Sequence, residues 1–302
     1  MSSEQIVLQS GQLSATLLPA EGAVCSELLF SNLSLLAKTP WAQTVIPAGI
    51  AADEKKWVES WRGGWQLCAP NVAAADSTPA RPAFHGAASQ APWEIISRSE
   101  SSAVAHWQSP SGIEISRRFE AGSGHLDVSS ELTNHGNRQP IGIAEHLILG
   151  SDFLKSVLDN QPILLDYQAA NIIELDYTAK PTGRVFAKAD TATDYTVLTS
   201  RQEARVFSAS QFSKNLLVAT CGDLEITISW DGLDYLLIWQ EFQYSAEAPW
   251  NNQVLALGIE PSNIPHGEGS ITDSDPKINQ GEKLTWRVRL SVSHSRKGDH
   301  FA

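Results

Sequence analysis

Apolar and polar residues alternate with a period of two along much of this chain. The alternation is clearest over residues 113–117, 224–230 and 286–292. Because successive side chains of a β-strand point to opposite faces, the pattern predicts antiparallel strands with one buried face and one exposed face. Clusters of Gly, Ser, Asn and Pro at residues 109–112 and 134–137 separate these segments at the short spacing expected of hairpins.

The same pattern extends over most of the remaining sequence. Further strands are predicted at residues 4–9, 13–18, 93–99, 103–108, 125–132, 141–148, 171–176, 204–208, 214–220, 235–241 and 254–260. Helical periodicity is nearly absent, and only residues 53–59 and 154–158 favour short helical turns. So many strands in one unbroken chain predict an all-β fold in which two large, mainly antiparallel sheets pack face to face.

The composition indicates one stable domain spanning residues 1–302. No Pro/Gly/Ser-rich linker, charge block or internal repeat divides the chain, and large β-sandwiches often exceed the usual domain size. Hydrophobic residues make up 42% of the chain and ten residues are tryptophan, which provides ample material for a core.

Charge and cysteine usage narrow the classes of partner. The formal net charge of -12 disfavours nucleic acid, whose binding requires Lys and Arg to neutralise phosphates. The sequence has no apolar run long enough to span a membrane and no basic, apolar leader, so we expect a cytoplasmic protein without a membrane partner. Its three cysteines are widely spaced and lack metal-binding motifs, which predicts reduced, buried thiols and no metal.

Two titratable residues lie at the ends of apolar, strand-like runs that are far apart in sequence. His146 ends the run 142–146, and Glu260 lies in the run 257–261. Histidine titrates at about pH 6.5 and glutamate at about 4.3 when unperturbed, so at neutral pH one can donate a proton while the other accepts one. The alternatives are a structural histidine and a water-facing glutamate, although a carboxylate inside an apolar run is costly unless partnered or functional.

The loop formed by residues 57–71 carries candidates for ligand binding. Tryptophan faces stack on sugar rings while arginine and asparagine hydrogen-bond hydroxyl groups, so Arg62, Trp65 and Asn71 are typical of a carbohydrate cleft. The alternative is that the tryptophans of this loop fill an edge of the sandwich. Further along, His85 belongs to a His-Gly pair in a proline-rich loop, where the glycine lets the backbone approach a ligand closely.

The order of these motifs resembles the aldose 1-epimerase (galactose mutarotase-like) superfamily over most of the chain. The motifs are Pro70-Asn71, His85-Gly86, the segment 134–140 leading to His146, Glu260-Pro261 and the closing segment 280–286. The resemblance implies a β-supersandwich that interconverts the α and β anomers of an aldose. Glu260 would remove the proton of the C1 hydroxyl while His146 protonates the ring oxygen, and reclosure after rotation about the C1–C2 bond would invert the anomer. This chemistry implies no metal and no nucleotide cofactor.

The resemblance also implies substrate-binding residues, with departures from the family pattern. His85 would hydrogen-bond the sugar near its ring oxygen. Relatives usually carry an arginine after Pro-Asn, where this chain has Val72, so Arg62 or Arg81 is the candidate to bind hydroxyl groups. Gly86 is not followed by the arginine of the hexose-6-phosphate branch, which favours an unphosphorylated sugar.

Two alternatives stay open at this stage. A non-catalytic carbohydrate-binding protein would keep the aromatic cleft, and residues 147–149 lack the Pro/Ser-Tyr-Phe of many relatives. A glycosidase or lyase would use two carboxylates, for which Glu145, Glu241 and Glu260 are candidates. Each reading predicts a small-molecule sugar partner, and the protein is expected to be a monomer or a homodimer.

Overall fold

The computed structural model describes residues 5–41, 50–75, 78, 81–190, 195–266 and 276–295. Twenty strands and two short α-helices lie within these ranges. The strands are β1 (Ile6–Ser10), β2 (Leu13–Leu18), β3 (Val24–Phe30), β4 (Leu33–Ser34), β5 (Trp65–Cys68), β6 (Glu94–Arg98), β7 (Ser102–Gln108), β8 (Ile113–Gly122), β9 (His125–Asn134), β10 (Gln139–Pro140), β11 (Ala144–Gly150), β12 (Ile163–Leu175), β13 (Pro181–Ala187), β14 (Val197–Leu198), β15 (Arg205–Cys221), β16 (Leu224–Asp231), β17 (Tyr235–Phe242), β18 (Leu255–Ser262), β19 (Lys277–Ile278) and β20 (Lys283–His294). The helices are α1 (Glu54–Ser60) and α2 (Ser151–Leu154), and 3-10 turns occur at Ala87–Ser89, Lys155–Asp159 and Lys188–Asp190.

Most strands belong to one antiparallel, hydrogen-bonded run. Its order is β6-β7-β8-β9-β20-β16-β15-β17-β18-β11-β5-β3-β2-β1. The run folds over at β15, whose residues 205–210 pair with β17 while its residues 216–221 pair with β16. Strands β1 and β2 thereby contact β8 from the opposite sheet. This arrangement confirms the predicted all-β architecture of two large sheets packed face to face.

The long strands differ from the sequence prediction. Residues 204–208 and 214–220 were predicted as two strands, but both lie in the 17-residue strand β15. Strand β12 pairs with β15 along its length and shifts register at Tyr167 and Gln168. Such irregularities bend a strand and change which face each residue occupies, so the period-two signal is interrupted although the strand continues.

The short helices form where the sequence predicted them. Asp53 caps α1, since its Oδ1 accepts a hydrogen bond of 2.9 Å from the backbone N–H of Lys56. Residues 154–158 belong to the end of α2 and the 3-10 turn that follows it. Helix α1 contributes the buried side chains of Trp57 and Val58. It therefore carries part of the aromatic material predicted for the loop 57–71.

The predicted alternation defines the core between the two sheets. Strand β20 buries Trp286, Val288 and Leu290 on one face, and β16 does the same with its own alternate residues. The three cysteines, Cys25, Cys68 and Cys221, are buried and unpaired, as predicted. No described helix is long and apolar enough to cross a membrane.

Arg117 and Glu145 break the apolar pattern at the centre of this core. Arg117 on β8 and Glu145 on β11 are 1% and 0% exposed. The guanidinium donates two hydrogen bonds to the carboxylate, of 3.0 Å to Oε1 and 2.9 Å to Oε2. The indole N–H groups of Trp65 and Trp286 donate two more, of 2.8 Å and 2.6 Å. The carboxylate is thus held by donors from both sheets, which compensates the cost of burying its charge.

The position of Glu145 determines where its neighbour points. All seven residues of β11 are buried, so both faces of this strand are covered. Since successive side chains alternate, Glu145 and Leu147 face the core between the sheets while His146 and Ile148 face the opposite side. The side chain of His146 therefore lies on the outer face of this sheet.

Removing the guanidinium should test how strongly the buried pair holds the sheets together. Arg117→Met leaves Glu145 buried without its cationic partner, so we expect the free energy of unfolding to fall by about 3–5 kcal/mol. The measurement is urea unfolding followed by tryptophan fluorescence and circular dichroism.

Arg118→Met provides the matched control on the same strand. Arg118 faces solvent and pairs with Glu120 at side-chain exposures of 50% and 49%, so its loss should change the free energy by about 1 kcal/mol or less. Equal effects of the two substitutions would contradict a special role for the buried pair.

Candidate active site

His146 and Glu260 lie side by side on the outer face of the sheet. Strands β11 and β18 are antiparallel neighbours in which Ala144 pairs with Ser262. Two residues further along each strand, in the same register, His146 stands opposite Glu260. Residues directly opposite in an antiparallel pair share a face and have Cβ atoms about 4.5–5.5 Å apart. The fold thus brings together two residues that are 114 positions apart in the sequence.

The pair forms the floor of a cavity of about 480 Å³. Loops on the outer side of the sheet close over this floor, and the segment between β12 and β13 reaches across it. The lining residues are Glu54, Trp57, Val58, Trp61, Val72, Ala73, Ala74, Phe84, His85, His146, Tyr177, Thr178, Ala179, Lys180, Val206, Leu237, Trp239, Glu247, Trp250 and Glu260. A cavity of this size suits a small molecule.

An aromatic wall forms one side of the cavity. The rings of Trp57 and Trp61 stack with centroids 5.6 Å apart, and Trp61 contacts Trp239 and Trp250 at 5.9 Å and 6.2 Å. The same two rings contact the imidazole of His146 edge-on, at 5.7 Å and 5.8 Å. Water is therefore displaced from most of the imidazole. Trp57 and Trp61 are themselves buried, whereas Trp239 and Trp250 are partly exposed and can offer aromatic surface to a ligand.

An aliphatic wall adjoins the aromatic wall at Trp239. Val72, Val206 and Leu237 are 3%, 8% and 3% exposed, and they belong to one apolar cluster. Leu237 lies opposite Glu260 in the pairing of β17 with β18. The aliphatic wall thus adjoins the floor directly beside the carboxylate.

A second imidazole completes the polar floor. The ring centroids of His85 and His146 are 4.9 Å apart. The backbone N–H of Ala73 donates to Nδ1 of His85 at 3.1 Å, so Nδ1 acts as an acceptor and Nε2 carries the proton of the neutral ring. A Cβ on Gly86 would lie 2.0 Å from the carbonyl oxygen of Ala69, so this turn requires glycine. The glycine thus allows a close approach to the backbone of Ala69, and the approach to a ligand stays a prediction.

Two polar atoms near this floor have no hydrogen-bond partner among the described residues. They are Nδ1 of His146 and the indole Nε1 of Trp61, both of which are buried. Because buried polar atoms are normally satisfied, such atoms are more frequent at functional sites than elsewhere.

Desolvation shifts the pKa values of all three floor residues towards their neutral forms. Burial raises the pKa of Glu260 from 4.5 to about 8 and lowers the pKa of His146 from 6.5 to about 3. Burial and the neighbouring His146 hold the pKa of His85 well below its usual value. At neutral pH the empty cavity therefore holds a protonated carboxyl beside two uncharged imidazoles.

Gly258 makes room for the Glu260 carboxylate. A Cβ at Gly258 would lie 2.5 Å from Oε1 of Glu260, so the carboxylate folds back along its own strand over the glycine. The same Cβ would lie 3.1 Å from Ile148 on β11 and 3.1 Å from Trp239 on β17. Any side chain at this position would displace the carboxylate, because its neighbours on both strands leave no other space.

Four predicted substrate-binding residues have side chains outside the cavity. Arg62 forms a salt bridge with Glu21, with 2.6 Å between Nε and Oε2, and Trp65 faces the core, where it donates to Glu145. The Nδ2 atom of Asn71 donates to the carbonyl oxygens of Ala73, Ala74 and Ala83 at 3.3, 3.1 and 2.9 Å. Arg81 donates to the carbonyl oxygen of Ala74 at 3.1 Å. Asn71 and Arg81 therefore support the loop that contributes Val72, Ala73 and Ala74 to the cavity.

The carboxylates proposed for the glycosidase alternative are also directed elsewhere. Glu145 is held in the core by Arg117. Oε1 of Glu241 accepts from the backbone N–H groups of Tyr244 and Ser245 at 2.6 Å and 3.1 Å. Its Oε2 accepts from the Tyr177 hydroxyl at 3.2 Å, which ties the segment between β12 and β13 to the sheet. Neither carboxylate lines the cavity.

Several lining residues escaped the sequence prediction. Trp239 lies in the predicted strand 235–241, but alternation alone does not show that both faces of a strand are covered. Trp250 and the rim residues Tyr177 and Lys180 come from connecting segments without periodicity. Tryptophan in a connecting segment was the available signal, because a large aromatic ring is rarely left in solvent.

The described residues contain no group of three His, Cys, Asp or Glu side chains arranged to hold a metal ion.

The raised pKa of Glu260 predicts a pH-dependent stability. The native state binds this proton more tightly than the unfolded chain, so the stabilisation is complete below pH 4.5 and is lost as the pH rises through about 8. Glu260→Gln removes the titration while keeping the shape. It should leave stability nearly unchanged at pH 5 and raise it by about 2–4 kcal/mol at pH 9.

Urea unfolding at both pH values measures the difference. Glu94→Gln, at an exposed position on β6, serves as the control and should change stability by about 0.5 kcal/mol or less at either pH. An effect of Glu260→Gln that is the same at pH 5 and pH 9 would show that the carboxyl is not held in its neutral form.

Comparison with known proteins relates this geometry to a known fold. No model of a protein family matches the chain, and no curated protein matches it by sequence. The Slr1438 protein from Synechocystis sp. PCC 6803 is similar in structure, with a TM-score of 0.73, 16% identity, and coverage of 98% of this chain and 97% of that one. The GalM/aldose epimerase homologue from C. elegans has a TM-score of 0.73 at 15% identity, covering 98% of this chain and 100% of its own.

A galactose 1-epimerase from Lactobacillus acidophilus NCFM is also similar, with a TM-score of 0.71 at 12% identity and coverage of 97% of this chain and 95% of that one. These structures include aldose 1-epimerases and mutarotase-like proteins, and they match almost the whole chain. The chain therefore has the galactose mutarotase-like β-sandwich fold, as the sequence predicted.

Proposed function

We propose that this protein is an aldose 1-epimerase-like mutarotase that interconverts the α and β anomers of an unphosphorylated aldose. The observation that carries the proposal is the placement of His146 opposite Glu260 at the floor of the cavity, with His85 4.9 Å from His146 between ring centroids. Ring opening of a hemiacetal requires one group that takes a proton from the C1 hydroxyl and another that gives a proton to the ring oxygen. A carboxylate and an imidazole side by side can perform both steps.

The proposed reaction moves one proton in each direction. Glu260 removes the proton of the C1 hydroxyl as the bond between C1 and the ring oxygen breaks, and His146 gives its proton to that oxygen. The products are the open aldehyde, a protonated carboxyl and a neutral imidazole. Rotation about the C1–C2 bond followed by the reverse transfers forms the other anomer. His85 would donate from Nε2 towards the ring oxygen, because its Nδ1 is occupied by Ala73.

The floor residues share one proton throughout this cycle. In the empty cavity the proton resides on Glu260, because burial raises the pKa of the carboxyl and lowers the pKa of His146. A bound sugar donates hydroxyl hydrogens to the carboxylate and accepts from the imidazolium, which favours the charged arrangement of the same pair. The number of protons does not change, so substrate binding alone can prepare the couple for ring opening.

The cavity charges support an unphosphorylated substrate. Among the described residues that line the cavity none is an arginine, and two carboxylates, Glu54 and Glu247, lie at its rim with Lys180. Bidentate arginine is the usual partner of a phosphate, whereas carboxylates repel it. The tryptophan wall instead suits the apolar face of a neutral sugar ring.

A non-catalytic carbohydrate-binding protein is the second candidate. The observation that favours it is the aromatic wall, which would hold a sugar whether or not the floor residues act on it. The glycosidase or lyase alternative has less support, because Glu145 and Glu241 do not line the cavity. Cytoplasmic location, a monomeric or homodimeric state, and the absence of nucleic-acid and membrane partners stay predictions from the sequence.

Anomer exchange can be measured directly. Proton NMR saturation transfer between α and β anomers of free sugars should show acceleration by the wild-type protein. His146→Asn and Glu260→Gln should each lower the catalysed rate by about 100- to 10,000-fold, since each removes one proton-transfer group.

His106→Asn is the matched control for this experiment. His106 lies on β7 and pairs with Glu114, away from the cavity, so the catalysed rate should not change. Sugar binding without any acceleration would favour the carbohydrate-binding candidate, and an unchanged rate in either floor variant would remove that residue from its proposed role.

The shared proton predicts a specific pH dependence of kcat/KM. The competent free enzyme carries one proton on the pair, so kcat/KM should be level between about pH 4 and 7. It should fall with rising pH as Glu260, with its pKa of about 8, loses that proton. The uncatalysed rate is measured at each pH and subtracted. A catalysed rate that rises through pH 8 would indicate that the ionised carboxylate beside a neutral imidazole is the active form.

A further inference from the structure

The polar groups of the cavity are divided between its floor and its rim. The floor presents His85, His146 and Glu260, which the proposed reaction uses at the ring oxygen and the C1 hydroxyl. The charged groups of the rim, Glu54, Lys180 and Glu247, belong to exposed residues. Beside the floor, next to Trp239, lies the aliphatic wall of Val72, Val206 and Leu237, none of which can form a side-chain hydrogen bond.

The register of three strands fixes which part of a sugar faces this wall. Leu237 on β17, Glu260 on β18 and His146 on β11 lie in one row across the sheet and on one face. A sugar with its ring oxygen at His146 and its C1 hydroxyl at Glu260 must continue from C1 in the direction away from β11. The next ring carbon in that direction is C2, and the neighbouring strand carries Leu237.

Val206 extends the apolar surface beyond Leu237. It lies on β15, opposite Trp239 in the pairing of β15 with β17, and is 8% exposed. Val72 lies in the loop held by Asn71 and Arg81 and is 3% exposed. A C2 hydroxyl that packs against Leu237 and Val206 would leave water and meet their methyl groups, and an unpaired buried hydroxyl is costly.

We propose that the preferred substrate is a 2-deoxy aldose, whose C2 methylene packs against Leu237 and Val206. This inference rests on the proposed function, because the orientation of the sugar follows from the roles of His146 and Glu260. It explains why the side of the cavity next to the reacting carbon is apolar although an ordinary aldose carries a hydroxyl there. An apolar wall that cannot hydrogen-bond the C2 hydroxyl should favour the sugar without this hydroxyl by about 10- to 100-fold.

Matched sugar pairs test the proposal on the wild-type protein. The pairs are 2-deoxyglucose with glucose, 2-deoxygalactose with galactose and 2-deoxyribose with ribose, each measured by NMR saturation transfer relative to its own uncatalysed rate. We expect kcat/KM to be about 10- to 100-fold higher for the 2-deoxy member. A 6-deoxy sugar, fucose, is compared with galactose in the same way. Equal values within the 2-deoxy pairs, or a preference confined to the 6-deoxy sugar, would overturn the proposal.

A substitution at the wall provides the second arm. Leu237→Asn places an amide beside C2 at similar side-chain size, so the preference for the 2-deoxy sugar should fall by at least about 5-fold. Leu158→Asn is the matched control at a position that is 51% exposed, and it should leave the preference unchanged. If circular dichroism shows that Leu237→Asn does not fold, Val206→Thr is used instead. Threonine has the shape of valine and adds a hydroxyl to the wall. A preference that survives the folded wall variant would overturn the role of the wall.

The two proposals fail in distinguishable ways. Acceleration of the ordinary sugars without a preference for 2-deoxy sugars would support the proposed mutarotase activity. It would overturn only the proposed substrate class. No acceleration of any sugar would remove the mutarotase, and tryptophan fluorescence titration with the same pairs then decides the substrate class. Tighter binding of the 2-deoxy sugar of each pair would support the proposed 2-deoxy preference at a non-catalytic site. Equal binding of both sugars, or no binding, would overturn that preference.

Discussion

The buried ion pair between Arg117 and Glu145 is the constraint on which the candidate site depends. The carboxylate receives four hydrogen bonds from two different sheets, so its side chain must point into the core between them. Because side chains alternate along a strand, His146 is then forced to the opposite face. Breaking the pair would therefore loosen the packing of the sheets and the orientation of the imidazole together, although Glu145 never contacts the cavity.

Exclusion of water from His146 and Glu260 changes their pKa values and sets their protonation states. The tryptophans around His146 remove solvent from its imidazole, and Glu260 is buried opposite it; desolvation moves the pKa values of the two groups in opposite directions. An uncharged acid beside an uncharged base is stable in an apolar enclosure, whereas either charge alone is not. The same walls that would bind a sugar face thus also set the protonation state of the groups that would act on it.

The structure shares its fold with solved structures at identities of only 12% to 16%, and its own side chains shape the cavity. Gly258 leaves the space that the Glu260 carboxylate occupies. Asn71 and Arg81 contact backbone carbonyls of the cavity loop rather than the cavity itself. Val72 and its aliphatic neighbours then leave an apolar surface beside the floor, and this surface is where specificity among sugars would arise.

The sequence by itself determined the all-β fold and the candidate couple of His146 and Glu260, because period-two alternation and strand-end polar residues are local signals. It also placed His85 correctly beside a glycine turn. It did not determine that Arg62 would pair with Glu21, or that Trp65 would face the core. Those outcomes depend on which strands become neighbours and which face each covers, and such contacts join residues far apart in sequence. Only the tertiary structure decided them, through strand register and the pairing of buried charges.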